Sequence, residues 1–376
     1  TLSTGHNTVT ITPGTGGATT MTFASFSRTA GASVLFRGTS MGSIAGTNVS
    51  TLLFTAAPAL IGAAGAEGTT TMSVLKGAYG DTSLSGTGSD MVTVVSNKLR
   101  PLTSNEYAGD LQTANANVKL TADRAAVATN TNSLILNGFG ITNPGGAITI
   151  PISSASLAGN ILINSATNIA GANTTLGITT TELNILATAN STISAIIGTA
   201  TTGSLTLSGT GNVTLSAANP YTSTTFINNA TLTAGVNNAL SSGGVTMRSG
   251  LYNLNGNSDT VGAISLTGST ISTGAGTLTG NGSFTTATNA NFSSIITGNL
   301  GLGANATFTI GDGLMDNDAV ISAVISGGFT FAKAGNGVLE LSGSNTFSGA
   351  TTISAGILRL GATGGGTNTP LGTTAG

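Results

Sequence analysis

Apolar residues along this chain arrive in short bursts, and glycine, asparagine or serine ends nearly every one. Val9-Thr10-Ile11-Thr12, Met21-Thr22-Phe23 and Val34-Leu35-Phe36 open the series, with Gly16-Gly17, Gly31 and Gly38 as punctuation. Alternation of apolar and hydroxyl side chains predicts half-buried strands, and the glycines predict corners. The run at 52–66, LLFTAAPALIGAAGA, is too short for a membrane span and is broken by Pro58. It predicts a buried strand at Leu52–Thr55 followed by a small-residue loop. From residue 133 the rhythm holds to the end. Leu134–Leu136, Ala147–Ile150, Ile161–Ile163, Leu176–Ile178, Leu183–Ile185, Ser194–Ile197 and Leu205–Leu207 read as strands. So do Val213–Leu215, Ala263–Leu266, Thr277-Leu278, Ser283-Phe284, Thr307–Ile310, Val320–Val324 and Phe329–Phe331. Almost no window has a sustained apolar stripe at helical spacing, and Gly, Thr, Ser and Asn are poor helix formers.

Strands this short cannot bury a core alone and must stack on copies of themselves. Such a copy exists. The stretch Gly335–Gly361, GNGVLELSGSNTFSGATTISAGILRLG, aligns without a gap on Gly209–Gly235, GTGNVTLSAANPYTSTTFINNATLTAG. Gly209, Gly211, Leu215, Ser216, Asn219, Thr225, Ile227, Leu232 and Gly235 match Gly335, Gly337, Leu341, Ser342, Asn345, Thr351, Ile353, Leu358 and Gly361, and Tyr221 stands where Phe347 does. The matches fall on corner residues and on expected inward apolar positions, where stacked coils constrain a sequence most.

The later copy closely resembles the autotransporter-associated β-strand repeat of large bacterial surface proteins. The run from Asn237-Asn238-Ala239-Leu240 through Leu251–Asn257 to Val261-Gly262 resembles that family's continuation. Thr22–Gly38, Arg100-Pro101-Leu102-Thr103 and Glu106-Tyr107-Ala108 resemble segments that accompany such repeats. The resemblance implies an all-β chain, an elongated parallel β-helix (β-solenoid), located outside a bacterial cell or on its surface. It implies no catalytic residues.

One stretch breaks the rhythm. Residues 67–125 hold half of the charged residues, among them Glu67, Lys76, Asp90, Arg100, Glu106 and Lys119, together with Tyr79 and Tyr107. Ser104–Leu111 reads as a short helix capped by Ser104 or Asn105. The expected organisation is a solenoid start at 1–66, an irregular insertion or junction at 67–125, and a solenoid over 126–376 carrying repeats at 209–235 and 335–361. The charged stretch is the first place to look for a specific partner.

Composition narrows the function. The 376 residues include 56 glycines but only 10 Lys or Arg and 12 Asp or Glu, with a net charge of −2 and no cysteine or tryptophan. Mean hydropathy of +0.32 with so little charge is the reverse of a disordered composition. Ten scattered basic residues cannot track a phosphate backbone, which argues against nucleic acid. Without cysteine there are neither disulfides nor thiolate metal sites. Asn and Thr at corners predict side-chain hydrogen-bond ladders between coils.

Candidate chemistry is thin. His6, the one histidine, reads as a solvated turn residue, and His-dependent triads lack their parts. Asp312, Asp316 and Asp318 in GDGLMDND form the one dense acidic group. Calcium there is conceivable, but the spacing is neither that of an EF-hand nor that of a GGxGxD repeat, so an exposed acidic turn is the expectation and no cofactor is predicted. Outside residues 67–125, Glu182, Asp259, the 312–318 group and Glu340 are the acids to weigh for a polysaccharide-active enzyme, which needs two facing carboxylates, and an enzyme is not the expectation.

The expected function is therefore structural: a rigid fibre, filament or stalk that self-associates end to end through unpaired coil edges. An adhesin contacting a cell or glycan surface through 67–125 is the alternative. The sequence opens on a strand pattern without a signal peptide, and Thr369-Pro370-Leu371-Gly372 falls where Asn238-Ala239-Leu240-Ser241 falls in the earlier copy. Both termini are thus expected to be cuts.

Overall fold

The structure is a computed structural model that describes residues 1–44, 46–143, 145–171, 173–179, 181–198, 203–288, 291–362 and 368–373. It is all-β, with one short 3₁₀ turn at Ser104–Glu106 among the described residues. Contacts divide the chain into two units, Thr1–Val213 and Thr214–Gly376.

The first unit begins with a seven-stranded sheet. Its strands run His6–Ile11, Ser33–Gly38, Ala78–Asp81, Asp90–Val95, Lys98–Pro101, Ser50–Phe54 and Thr19–Phe23 in spatial order. The outer pairs are parallel, as when coils stack: His6 faces Ser33, Val34 faces Ala78 and Thr19 faces Ser50. The Asp90–Val95 and Lys98–Pro101 hairpin is antiparallel to both neighbours and joins the two stacks into one sheet. Phe36, Leu52, Phe54, Val92 and Leu99 pack in its core. Residues 67–125, expected as an irregular insertion or junction, hold strands of two sheets. They supply the strands that close this sheet and the first strands of the next.

That next part is a solenoid with three faces. One face stacks Ala116–Lys119, Thr131–Ile135, Asn160–Ile163, Glu182–Ala187 and Ser204–Ser208 in parallel. A second stacks Arg124–Ala125, Ile141–Thr142, Thr167–Ile169 and Ser191–Ile193, and a third stacks Ile148–Ser153, Thr174–Ile178 and Ile196–Ile197. Every residue of Thr131–Ile135, Asn160–Ile163, Glu182–Ala187 and Ser204–Ser208 is buried. Burial on both sides has a direct cause. Leu134, Ile161, Ile185 and Leu205 alternate with residues on the other side, and there Leu35, Tyr79 and Met91 of the seven-stranded sheet pack on Ile135, Leu162 and Leu186.

The second unit also stacks its strands in parallel coils, without such a cover, and a short further ladder runs through 259–261, 278–280, 300–302 and 324–326. Thr225–Asn228, Val245–Arg248, Ile264–Thr267, Phe284–Thr286, Ala306–Ile310, Phe331–Ala334 and Thr351–Ile353 stack in parallel on one face. Thr231–Ala234, Leu251–Asn253, Thr270–Gly280, Ser294–Leu302, Ala319–Ile321, Val338–Leu341 and Ile357–Leu360 stack on the other. Burial alternates along these strands, for example in Val245–Arg248 and Ala306–Ile310. Inside, Phe284, Phe308, Phe331 and Phe347 form a ladder with ring centroids 4.9, 4.5 and 5.6 Å apart. Each aromatic contact of this kind adds about 0.5–1.5 kcal/mol beyond area burial.

Several local expectations shift. Phe329 is exposed, and the strand there is Phe331–Ala334. Ser194–Ile197 is replaced by Ser191–Ile193 and Ile196–Ile197, and Val320–Val324 by Ala319–Ile321 and Val324–Ser326. The helix expected over Ser104–Leu111 shrinks to Ser104–Glu106, preceded by Thr103, whose N–H donates to Glu106 Oε2 at 2.7 Å. Corner asparagines bond mostly to the backbone of the neighbouring coil instead of to one another.

Candidate functional site: the repeat frame and a charged groove

The matched copies have matched geometry. Gly209 and Gly335 both adopt positive φ, at 104° and 74°. A Cβ at either would collide with the carbonyl oxygen of the coil before, Ala187 in one and Ile310 in the other. Gly211 N–H donates to Ala187 O at 2.9 Å and Gly337 N–H donates to Ile310 O at 3.0 Å. Gly235 and Gly361 close the frame by donating to Leu215 O and Leu341 O, each at 2.8 Å. The Asn219 amide donates to Ala239 O, and the Asn345 amide donates to Pro370 O at 2.7 Å. Asn345 Oδ1 also accepts the Ile325 N–H. Leu215, Leu341, Tyr221 and Phe347 are buried.

Two frame positions behave differently in the two copies. Ile227 and Leu232 are fully buried beneath the strands Val245–Arg248 and Leu251–Asn253. Their counterparts lie on the last coil of the second unit: Ile353 is 55% exposed and Leu358 is half-buried. Ile357 and Leu360 are exposed beside them. The frame's glycine bonds are kept there, and among the described residues no strand pairs with Thr351–Ile353 or Ile357–Leu360 as Val245–Arg248 and Leu251–Asn253 pair with the earlier copy.

The charged stretch turns inward. Arg100 grips Glu106 through two nitrogens at 2.6 and 2.7 Å, and Glu67 at 3.2 Å. Burial pushes Glu106 up, but hydrogen bonds from Arg100, Thr103 and Gly68 and the Arg100 charge overcome it and hold its pKa near about 2. Lys119 pairs with Asp90 at 2.9 Å and lies 5.6 Å from the Tyr107 ring centre. Tyr79 is fully buried and donates to Asn184 O at 3.0 Å, and burial raises its pKa. Asp90–Lys119 and Tyr79–Asn184 bind the sheet to the solenoid beneath it, while Arg100 fastens the strand Lys98–Pro101 to the turn that follows it.

A second charged group ties the same two parts together. Arg28 is ion-paired with Glu182, both nearly buried. Arg28 also donates to the backbone oxygens of Lys76, Thr29 and Ala32 and to Asn184 Oδ1. Glu182 accepts from Gly31 N–H and the Thr206 hydroxyl. His6, expected in a solvated turn, sits on a strand, half-buried, with Nδ1 2.8 Å from Ser33 Oγ. Burial lowers its pKa to about 4. Ser33 in turn donates to Ser208 at 2.7 Å.

The remaining acids are held singly. Asp259 in the second unit is buried and accepts from Tyr252 Oη at 2.6 Å, Leu240 N–H and Thr260 N–H. Burial raises its pKa, and those hydrogen bonds partly offset the rise. Asp318 accepts from Gly313 and Val338 N–H at 2.7 and 2.8 Å, while Asp312 and Asp316 are exposed. Among the described residues no three His, Asp or Glu side chains gather in a metal-binding group. Sequence reasoning passed over Lys333, whose buried ammonium donates to Ala334, Gly335 and Ala355 carbonyls inside the coil. Its one signal is position, two residues after Phe331 on the inward face.

No helix of the described residues is long and apolar enough to cross a membrane. The passenger-associated-transport-repeat family model matches residues 202–234 and 331–360, the two copies of the frame. No curated protein and no solved structure matches the chain. The chain therefore carries two passenger-associated-transport repeats set in parallel β-solenoid coils, and in this it is similar to autotransporter passenger-associated β-repeat proteins.

Proposed function

We propose that this chain is a structural passenger on the outside of a bacterial cell, a segment of a stalk or filament whose work is mechanical. The repeat family supports a secreted or surface location and a non-enzymatic role. Glu182 and Asp259 support the same reading, because each is buried and committed to its own structural partners. The observation that carries the proposal is the continuous parallel stacking of strand on strand through the second unit. On the coil of Thr351–Ile353 and Ile357–Leu360 the apolar side chains of Ile353, Ile357 and Leu360 are exposed, and among the described residues no strand pairs beyond it. Parallel pairing with another chain there extends the stack with the same hydrogen bonds that hold it internally.

Electron microscopy and light scattering over a range of protein concentrations test this. Concentration-dependent filaments of uniform width are expected, and Ile353→Ser with Leu360→Ser abolishes them. A protein that stays monomeric at millimolar concentration overturns self-association.

A further inference from the structure

The first unit contains an open groove of about 480 Å³ between residues 26–30, 59–61 and 75–76, which flank strands of the seven-stranded sheet, and solenoid residues 154–155 and 181–182. Phe26, Ala59, Ile61 and Leu75 give it apolar walls, and Arg28, Lys76 and Glu182 bring charge to it. This is the usual size and make-up of a small-molecule site: mostly apolar, with a few convergent polar groups.

The charges are not equivalent. All five N–H groups of Arg28 are used, on Lys76 O, Thr29 O, Ala32 O, Asn184 Oδ1 and Glu182. The Glu182 carboxylate is neutralised by Arg28 and also accepts from Gly31 and Thr206. Lys76 is left over. Its ammonium is out of contact with water and has no hydrogen-bond partner. Burial lowers its pKa to about 8, with the Glu182 charge opposing the shift and the Arg28 charge adding to it. A buried donor with no acceptor is unfavourable by roughly 1–3 kcal/mol, and more when charged. A flexible four-carbon stem lets that donor meet an acceptor entering the groove.

We propose that this groove binds a small monocarboxylate with an apolar body, its carboxylate on Lys76 Nζ and its body against Phe26, Ile61 and Leu75. One unbalanced positive charge matches one carboxylate. A phosphate dianion would need a second free donor group, and the saturated Arg28 does not supply it.

Isothermal titration calorimetry on the full chain with hexanoate and benzoate tests the site, with hexanamide and inorganic phosphate alongside. Saturable binding of both carboxylates is expected, with affinity at least about 10-fold lower for hexanamide and for the Lys76→Met protein. Lys76→Met keeps the apolar stem and removes a buried unpartnered charge, so it should melt at or above the parent temperature. Ala59→Trp, at an exposed wall position, fills the groove with Lys76 intact and should abolish binding. No saturable binding by either carboxylate, undiminished binding in Lys76→Met or Ala59→Trp, or phosphate binding as tightly as hexanoate would each overturn the proposal.

Discussion

Ile227 and Ile353 hold the same place in two copies of one repeat, yet Ile227 is fully buried and Ile353 is 55% exposed. The glycine hydrogen bonds of the frame recur in both copies, but only Ile227 lies in a strand paired with a following one, Val245–Arg248. Ile227→Ala should cost about 2–5 kcal/mol, the range for truncating a packed aliphatic side chain. Ile353→Ala in dilute protein should cost well under about 1 kcal/mol, because a half-solvated side chain leaves no cavity. Denaturant unfolding of the two variants checks this, and equal losses would contradict it.

The aromatic ladder runs through successive coils of the second unit. Phe308 lies between Phe284 and Phe331, at 4.9 and 4.5 Å. Phe308→Ala removes two ring contacts and opens a cavity across three coils, so a loss of about 3–5 kcal/mol is expected. Phe308→Leu retains much of the volume and should cost less than half of that. Thermal unfolding followed by near-ultraviolet circular dichroism reads both the stability and the ring environment.

Much of this architecture was legible in the sequence, for a physical reason. Gly209 and Gly335 recur because the backbone there is left-handed and the preceding coil's carbonyl leaves no room for a Cβ. Asn219 and Asn345 recur because each amide satisfies a carbonyl one coil away. Constraints of that kind leave a mark in each copy. The seven-stranded sheet left none, since antiparallel closure by Asp90–Val95 and Lys98–Pro101 occurs once and has no second copy to match. A weaker signal was present. Leu134-Ile135-Leu136, Ile161-Leu162-Ile163 and Ile185-Leu186-Ala187 are unbroken apolar runs, whereas Val245-Thr246-Met247 and Phe308-Thr309-Ile310 follow the pleat. Unbroken runs mark strands covered on both faces. Arg28 and Glu182 were beyond reach, because their meeting depends on how the sheet settles on the solenoid.

That ion pair makes a sharp test of how the first unit is held. Arg28→Met leaves Glu182 buried without its cation, and Glu182→Gln leaves Arg28 buried without its anion. Each single change should cost about 3–5 kcal/mol. The double variant should cost clearly less than the sum, since neither charge then remains alone. A double-mutant cycle by urea unfolding measures the coupling, and simple additivity would mean that the pair contributes nothing.

Acid should loosen the seven-stranded sheet, and two groups set the window. His6 is neutral in the fold because burial lowers its pKa from 6.5 to about 4. The folded state therefore binds fewer protons than the unfolded chain between those values. Stability from this group is complete above pH 6.5 and falls as pH drops toward 4, by on the order of 3 kcal/mol. Glu106 acts lower, with its pKa depressed from 4.5 to about 2. Its contribution is present above pH 4.5 and is lost as pH falls through 2. His6→Gln keeps a polar partner for Ser33 and has nothing to titrate, so its melting temperature should be flat between pH 6.5 and 4.5 where the parent's declines. Parallel melting curves for both proteins across that interval would show that His6 is not the group responsible.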